Sequence, residues 1–199
     1  MAGEKKAPVL SEQNFRMVVA VVRTKEQAAR NVALLHFSFG LGLRAKEMAL
    51  LKVNHVLDAQ GSIKEEVLLT KKTTKGNKQR LVYLTQKDVR RTLAEYLAER
   101  RKANDLHPES SLFKSRKGAG FSPNTMQMLF KRMYIWAGLD QASSHSGRRT
   151  FATSQIEAGT DIKAVSTLMG HASVAMTARY VEENPVRLRR ISGSTRLGV

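Results

Sequence analysis

Apolar side chains recur at spacings of three and four along most of the chain, the signature of amphipathic helices, and give way to short β-prone runs between Val53 and Leu84. Ser11 and Thr24 stand where N-caps would, which predicts two helices before Gly40, the second with Val32, Leu35 and Phe39 facing inward. Gly40-Leu41-Gly42 breaks that helix, and a short one resumes from Arg44 to about Leu51. Glu66 to Thr70 and Gln79 to Leu84 form a hairpin around the basic tip Lys71 to Lys78. A strand from Val53 to Asp58 adds a third member to this sheet.

Helical spacing then returns. Thr85 and Asp88 open a helix with Val89, Leu93, Tyr96 and Leu97 on its apolar face, running to about Ala103. Ser122-Pro123 opens another, lined by Met126, Leu129, Phe130 and Met133 and stopped by Gly138; further helices begin near Ser144, Asp161 and Ser173. The fold class predicted is mainly α with a small three-stranded antiparallel β-sheet (α+β). Residues 1–10 read as a disordered basic lead-in, 11–183 as one domain of catalytic size, and 184–199 as a tail whose Val186 to Ile191 can form a basic amphipathic turn for a subunit contact.

Charge narrows the function. Thirty-four Lys and Arg against 17 acidic residues leave a formal net charge of +17, which predicts attraction to a polyanion, DNA or RNA first. Cysteine is absent, which removes disulfides, thiolate metal sites and cysteine nucleophiles. Five histidines without metal-ligand spacing and no Gly-rich phosphate loop imply neither a metal nor a nucleotide cofactor. No apolar run approaches the roughly 20 residues that cross a bilayer, so a soluble, cytoplasmic protein without a membrane partner is expected.

Phosphodiester transfer without a metal needs fixed cations on the non-bridging oxygens, and arginine supplies bidentate ones. Arg44 lies three residues before Glu47, which can orient it, though an ordinary surface pair has the same spacing. His145 and Arg148 are also three apart near a helix start, a phosphate-binding arrangement or a solvated basic turn. Lys75 in the hairpin tip can reach over a substrate to protonate a leaving oxygen, or grip backbone phosphates as Lys71, Lys72 and Lys78 do. Arg80, Lys114, Arg116, Lys117 and Arg149 are further candidates for DNA contact, Arg149 also as a rival to Arg148. His171 follows Gly170 in a tight corner between two helices, and Tyr180 is either a rim residue or a nucleophile. A phenol costs roughly 4 kcal/mol to ionise at neutral pH, which neighbouring cations must supply.

In chain order, Gly42-Leu43-Arg44 with Glu47, Lys75-Gly76-Asn77-Lys78 with Arg80, Leu112-Phe113 with Ser115, His145 with Arg148 and Thr150-Phe151-Ala152-Thr153, Leu168-Met169-Gly170-His171, and Tyr180 resemble the tyrosine recombinase (phage integrase) family over about residues 10–183. The resemblance implies a site-specific DNA recombinase. Arg44 and Arg148 would clamp the scissile phosphate, His171 would hold it, Lys75 would protonate the departing 5′ oxygen, His145 would act as acid/base, and Tyr180 would form a transient 3′-phosphotyrosyl bond. It also implies double-stranded DNA as partner, a homotetramer in the synaptic complex, and no cofactor. A DNA-binding module without cleavage and a type IB topoisomerase-like enzyme are the competing readings. Two departures carry expectations of their own. Only about 40 residues precede Arg44, where most members have a helical clamp domain, so the chain reads as a catalytic fragment or a minimal recombinase. Gly147 stands where the family usually has a large apolar residue, which predicts looser packing beside Arg148.

Overall fold

A computed structural model describes residues 7–70, 79–178, 180, 189, 192 and 193. In chain order the elements are α1 (Glu12–Arg23), α2 (Ala28–Leu41), α3 (Ala45–Ala49), α4 (Val53–Val56), β1 (Glu66–Leu69), β2 (Arg80–Tyr83), α5 (Lys87–Lys102), α6 (Pro123–Trp136), α7 (Ser146–Glu157), α8 (Ile162–Met169) and α9 (Val174–Ala178). Ser11 caps α1 in a reciprocal box with Asn14, whose N–H donates to the Ser11 hydroxyl at 3.1 Å. Thr24 does the opposite of what its position suggests: its hydroxyl and N–H both donate to the Val21 carbonyl, closing α1 rather than opening α2. The second helix starts instead after Gln27, which adopts a left-handed conformation at φ 60°.

Helix α2 is the centre of the molecule. Because α1, α5 and α7 pack around it, it is buried from Arg30 to Ser38 rather than along one face, and Phe39 is only half-buried. Its contact with α7 is close. A Cβ on Gly147 would lie 2.7 Å from Phe39 Cδ2 and closer still to the Ser38 hydroxyl, so the glycine permits tight approach beside Arg148, not looser packing. The large core includes Phe37, Phe113, Phe130 and Tyr134, all fully buried. A separate small core of Ala152, Ile156, Val165 and Met169 joins α7 to α8, with Phe151 and Tyr180 packed against it.

The sheet among the described residues has two antiparallel strands, with Val67 opposite Val82 and Leu68 opposite Leu81. The expected third strand is corrected: Val53–Val56 is a single helical turn, and Leu57 meets Ile63 only in an isolated bridge. The N–H groups of Val53 and Asn54 are taken by the carbonyls of Ser110 and Pro108, which removes the ladder this β-branched run would have joined. Helix α5 starts after Gln86 with no side-chain cap, rather than at Thr85, whereas α6 and α8 follow their cap residues. Ser122 accepts from the Thr125 N–H at 3.1 Å with Pro123 in the first turn, and the Asp161 carboxylate accepts from Lys163 and Ala164 at 2.9 and 3.0 Å.

Candidate active site

Three arginines from distant parts of the chain converge on the C-terminal end of α8. Arg148, 2% exposed on α7, donates through Nη1 to the Gly42 carbonyl and through Nη2 to the Met169 carbonyl, at 2.5 Å each. Both acceptors lie at helix C-termini, where carbonyls without intrahelical partners carry partial negative charge and offset the burial of a cation. Arg80 donates through Nη1 to the Leu168 carbonyl and through Nη2 to Glu47 Oε2 at 2.8 Å. Arg44 donates its N–H to Glu47 Oε2 at 2.7 Å and Nη1 to Oε1 at 2.9 Å, and its Nη2 lies 3.5 Å from the Gly170 carbonyl. Consecutive carbonyls of one helix end thus hold three guanidinium groups, and a fully buried Glu47 ties two of them together.

Two glycines make this geometry possible. Gly42 ends α2 at φ 62°, and a Cβ there would lie 2.6 Å from Phe151 and 3.0 Å from the Met169 sulfur. Gly170 ends α8 at φ 59° with the His171 N–H returning to the Ser166 carbonyl at 3.0 Å, a left-handed helix closure. A side chain at Gly170 would run into Arg80, whose Nε is 3.0 Å from the Cβ position. That closure turns His171 back over the cluster. Its Nδ1 is 2.8 Å from the Thr177 hydroxyl, and its ring stacks on Tyr180 with centroids 5.6 Å apart and planes 9° from parallel.

Charge follows from this packing. Burial alone would raise the Glu47 carboxyl, but Arg80, the Arg44 N–H, Arg148 and Arg44 hold it below its ordinary value. Burial, followed by the charges of Arg44 and Arg80, pushes Arg148 down to about 9, against the pull of Glu47 and Tyr180; the guanidinium stays charged at neutral pH. Burial and then Arg148, Arg44 and Arg80 lower His171 to about 4, so the ring is neutral. Three guanidiniums against one carboxylate leave the cluster positive, next to a neutral imidazole and a phenol.

Residues 8–187 match the Phage integrase family. The chain belongs to the phage integrase family. Among family members it is 34% identical over 166 residues to tyrosine recombinase XerD of Corynebacterium glutamicum, covering 81% of this chain and 51% of that protein. It is 29% identical over 170 residues to XerD of Rickettsia bellii, covering 82% and 55%. The chain therefore spans about half the length of these curated relatives. Of solved structures it is similar to XerA recombinase, with a TM-score of 0.75 and 26% identity over 96% of this chain and 68% of that one. The fold is shared with the XerH site-specific recombinase bound to difH substrate, with a TM-score of 0.68 and 24% identity over 98% and 56%.

Of the residues singled out in this phage integrase sequence, Arg44, Glu47, Arg148, His171 and Tyr180 are brought together. His145 is exposed at the start of α7, three residues before Arg148, and is itself the N-cap residue, with its backbone N–H donating to the Ser143 hydroxyl at 3.3 Å. Lys71, Lys72, Lys75 and Lys78 lie outside the described residues. Two placements correct the sequence reading. Arg80 is internal, on the buried face of β2 with Val82, and so belongs to the arginine cluster instead of a DNA-facing surface. Arg149 is 7% exposed and donates to the Ala7 carbonyl at 2.9 Å, joining α7 to the N-terminal segment rather than competing with Arg148. Lys114 pairs with Asp105, whereas Arg116 and Lys117 are exposed on the α5–α6 loop beside a cleft of 880 Å³ shared with Lys25 and Trp136. Arg80 had one legible signal, strand alternation that puts it in phase with Val82; Thr177 had none.

Proposed function

We propose that the chain is the catalytic part of a site-specific DNA recombinase that breaks and rejoins strands through a 3′-phosphotyrosyl intermediate. The observation that carries this is the positive arginine cluster abutting the stacked His171 and Tyr180. Arg44 and Arg148 are the phosphate clamp: both are pre-oriented by bonds to Glu47 or to helix-end carbonyls, so little reorganisation accompanies charge build-up on the non-bridging oxygens. The Tyr180 oxygen attacks phosphorus, its proton passing to His145; the bond to the 5′ oxygen breaks, and Lys75 protonates that oxygen. A neutral His171 donates a hydrogen bond to the phosphate. Rejoining is the same sequence in reverse, with a 5′ hydroxyl from either strand as nucleophile, so no cofactor is consumed.

The names of the relatives, tyrosine recombinases XerC and XerD, support this reading, as does the XerH complex with a difH substrate. Double-stranded DNA is the partner, and +17 of net charge supplies the non-specific part of its binding. Recombination between two sites requires four protomers, with residues 184–199 as the segment offered to a neighbour. The test is trapping of covalent protein–DNA adducts on nicked suicide substrates drawn from DNA flanking the gene, with wild type and Tyr180→Phe side by side. An adduct from wild type alone is expected. Adducts from Tyr180→Phe would overturn the nucleophile, and salt-sensitive binding without any adduct would favour a DNA-binding module.

A further inference from the structure

We propose that Thr177 is a positioning residue for this reaction: its hydroxyl donates to His171 Nδ1, fixing the tautomer that carries its proton on Nε2 and offers it to the phosphate. The inference rests on the active-site reading of His171 and Tyr180 given above.

Helix α9 is short and its other residues are exposed, yet Thr177 is fully buried. A hydroxyl is a costly group to bury without a partner, and this one lies 2.8 Å from His171 Nδ1. Among the described residues the hydroxyl has no other hydrogen-bond partner. If the ring nitrogen donated and the hydroxyl only accepted, the hydroxyl proton would be buried with no acceptor among the described residues; with the hydroxyl donating, both groups are satisfied. A neutral imidazole whose Nδ1 accepts has its single N–H on Nε2, at the opposite edge of the ring. Burial and the Arg148, Arg44 and Arg80 charges keep the ring neutral at pH 7, so only one of its nitrogens can donate.

Thr177 also governs the second group. Its carbonyl accepts the Tyr180 N–H at 2.9 Å, and Tyr180 stacks on the His171 ring. One buried residue therefore touches the histidine through its side chain and the tyrosine through its backbone. The stack resists rotation of the imidazole about its bond to Cβ, and the hydroxyl chooses which edge carries the proton.

The test begins with the full chain free of DNA. Long-range proton–nitrogen NMR of 15N-histidine-labelled protein at pH 7 should show His171 in the Nε2–H form. Thr177→Val should give a tautomer mixture, and Thr177→Ser should restore the wild-type pattern. Thr177→Ala covers the case in which the valine disturbs packing. On nicked substrates Thr177→Val and Thr177→Ala should bind DNA as wild type does and form adducts about tenfold more slowly, the scale of one lost hydrogen bond, with Thr177→Ser close to wild type. An Nδ1–H or doubly protonated ring in wild type, or unchanged tautomers in Thr177→Val, would overturn the proposal. So would altered tautomers with undiminished cleavage. Adducts from Tyr180→Phe would sink the recombinase reading instead, and leave the NMR result standing.

Discussion

Glu47→Gln isolates the charge on which the arginine cluster is built. The wild-type carboxylate is fully buried and receives three donors: the Arg44 N–H at 2.7 Å, Arg44 Nη1 at 2.9 Å and Arg80 Nη2 at 2.8 Å. Removing one partner from a buried ion pair costs about 3–5 kcal/mol, because the remaining charge stays desolvated without compensation. Glutamine has the same shape and keeps one acceptor oxygen, which places the cost near the lower end, at about 3 kcal/mol. At this chain length 1 kcal/mol moves the melting temperature by about 2–4 °C, so the variant should melt about 10 °C below wild type at pH 7.

The pH dependence has a definite sign. Glu47 is held below its ordinary value in the folded protein, so its contribution is complete above the unfolded-chain value of about 4.3 and is lost as pH falls through the lower folded value. The gap between wild type and Glu47→Gln should stay constant from about pH 7 to 5 and close only below about pH 4. Differential scanning calorimetry across that range measures it. A gap of less than about 2 °C at pH 7, or one that closes above pH 5, would mean that the Glu47 charge does not hold the arginine cluster together.

Gly170→Ala should lose about 2 kcal/mol or more in urea unfolding, since alanine must adopt φ 59° and its Cβ meets Arg80; a loss under about 0.5 kcal/mol would mean the helix end rearranges freely. Arg148→Ala should slow adduct formation by about 10²–10³, as the loss of an oxyanion donor does, while Arg149→Ala leaves the rate nearly unchanged. Similar rates for the two variants would mean that Arg148 is not the clamp. DNA affinity should fall steeply and linearly in log–log plots against salt, and a flat plot would exclude backbone phosphate contact as the main source of binding.

Periodicity revealed most of the helices and the hairpin because these elements bury one face, and a buried face writes its period into the sequence. It failed where a tertiary contact decided the outcome. The β-branched run at Val53 became a helical turn because its N–H groups found carbonyls at Pro108 and Ser110, more than fifty residues away in the chain. Thr24 is a good N-cap residue in isolation, but its hydroxyl found the Val21 carbonyl first.

The candidate site was legible as a set of residue types and illegible as a network, for a physical reason. Its cations bind to backbone carbonyls of Gly42, Leu168 and Met169, and a carbonyl has no identity that a sequence can mark. What the sequence does mark is where such carbonyls are left unpaired, since Gly42 and Gly170 each end a helix in the left-handed conformation. The glycines of Gly42-Leu43-Arg44 and Leu168-Met169-Gly170-His171 therefore belong to the chemistry as much as the charged residues beside them. Each stops a helix, and the carbonyls freed there hold Arg148 between the two helix ends. The same closure at Gly170 turns His171 toward Tyr180 and leaves room for Arg80 to reach Glu47. A substitution that restored helix at either glycine would pair those carbonyls internally and strand the buried guanidinium of Arg148, with no change to any charged side chain.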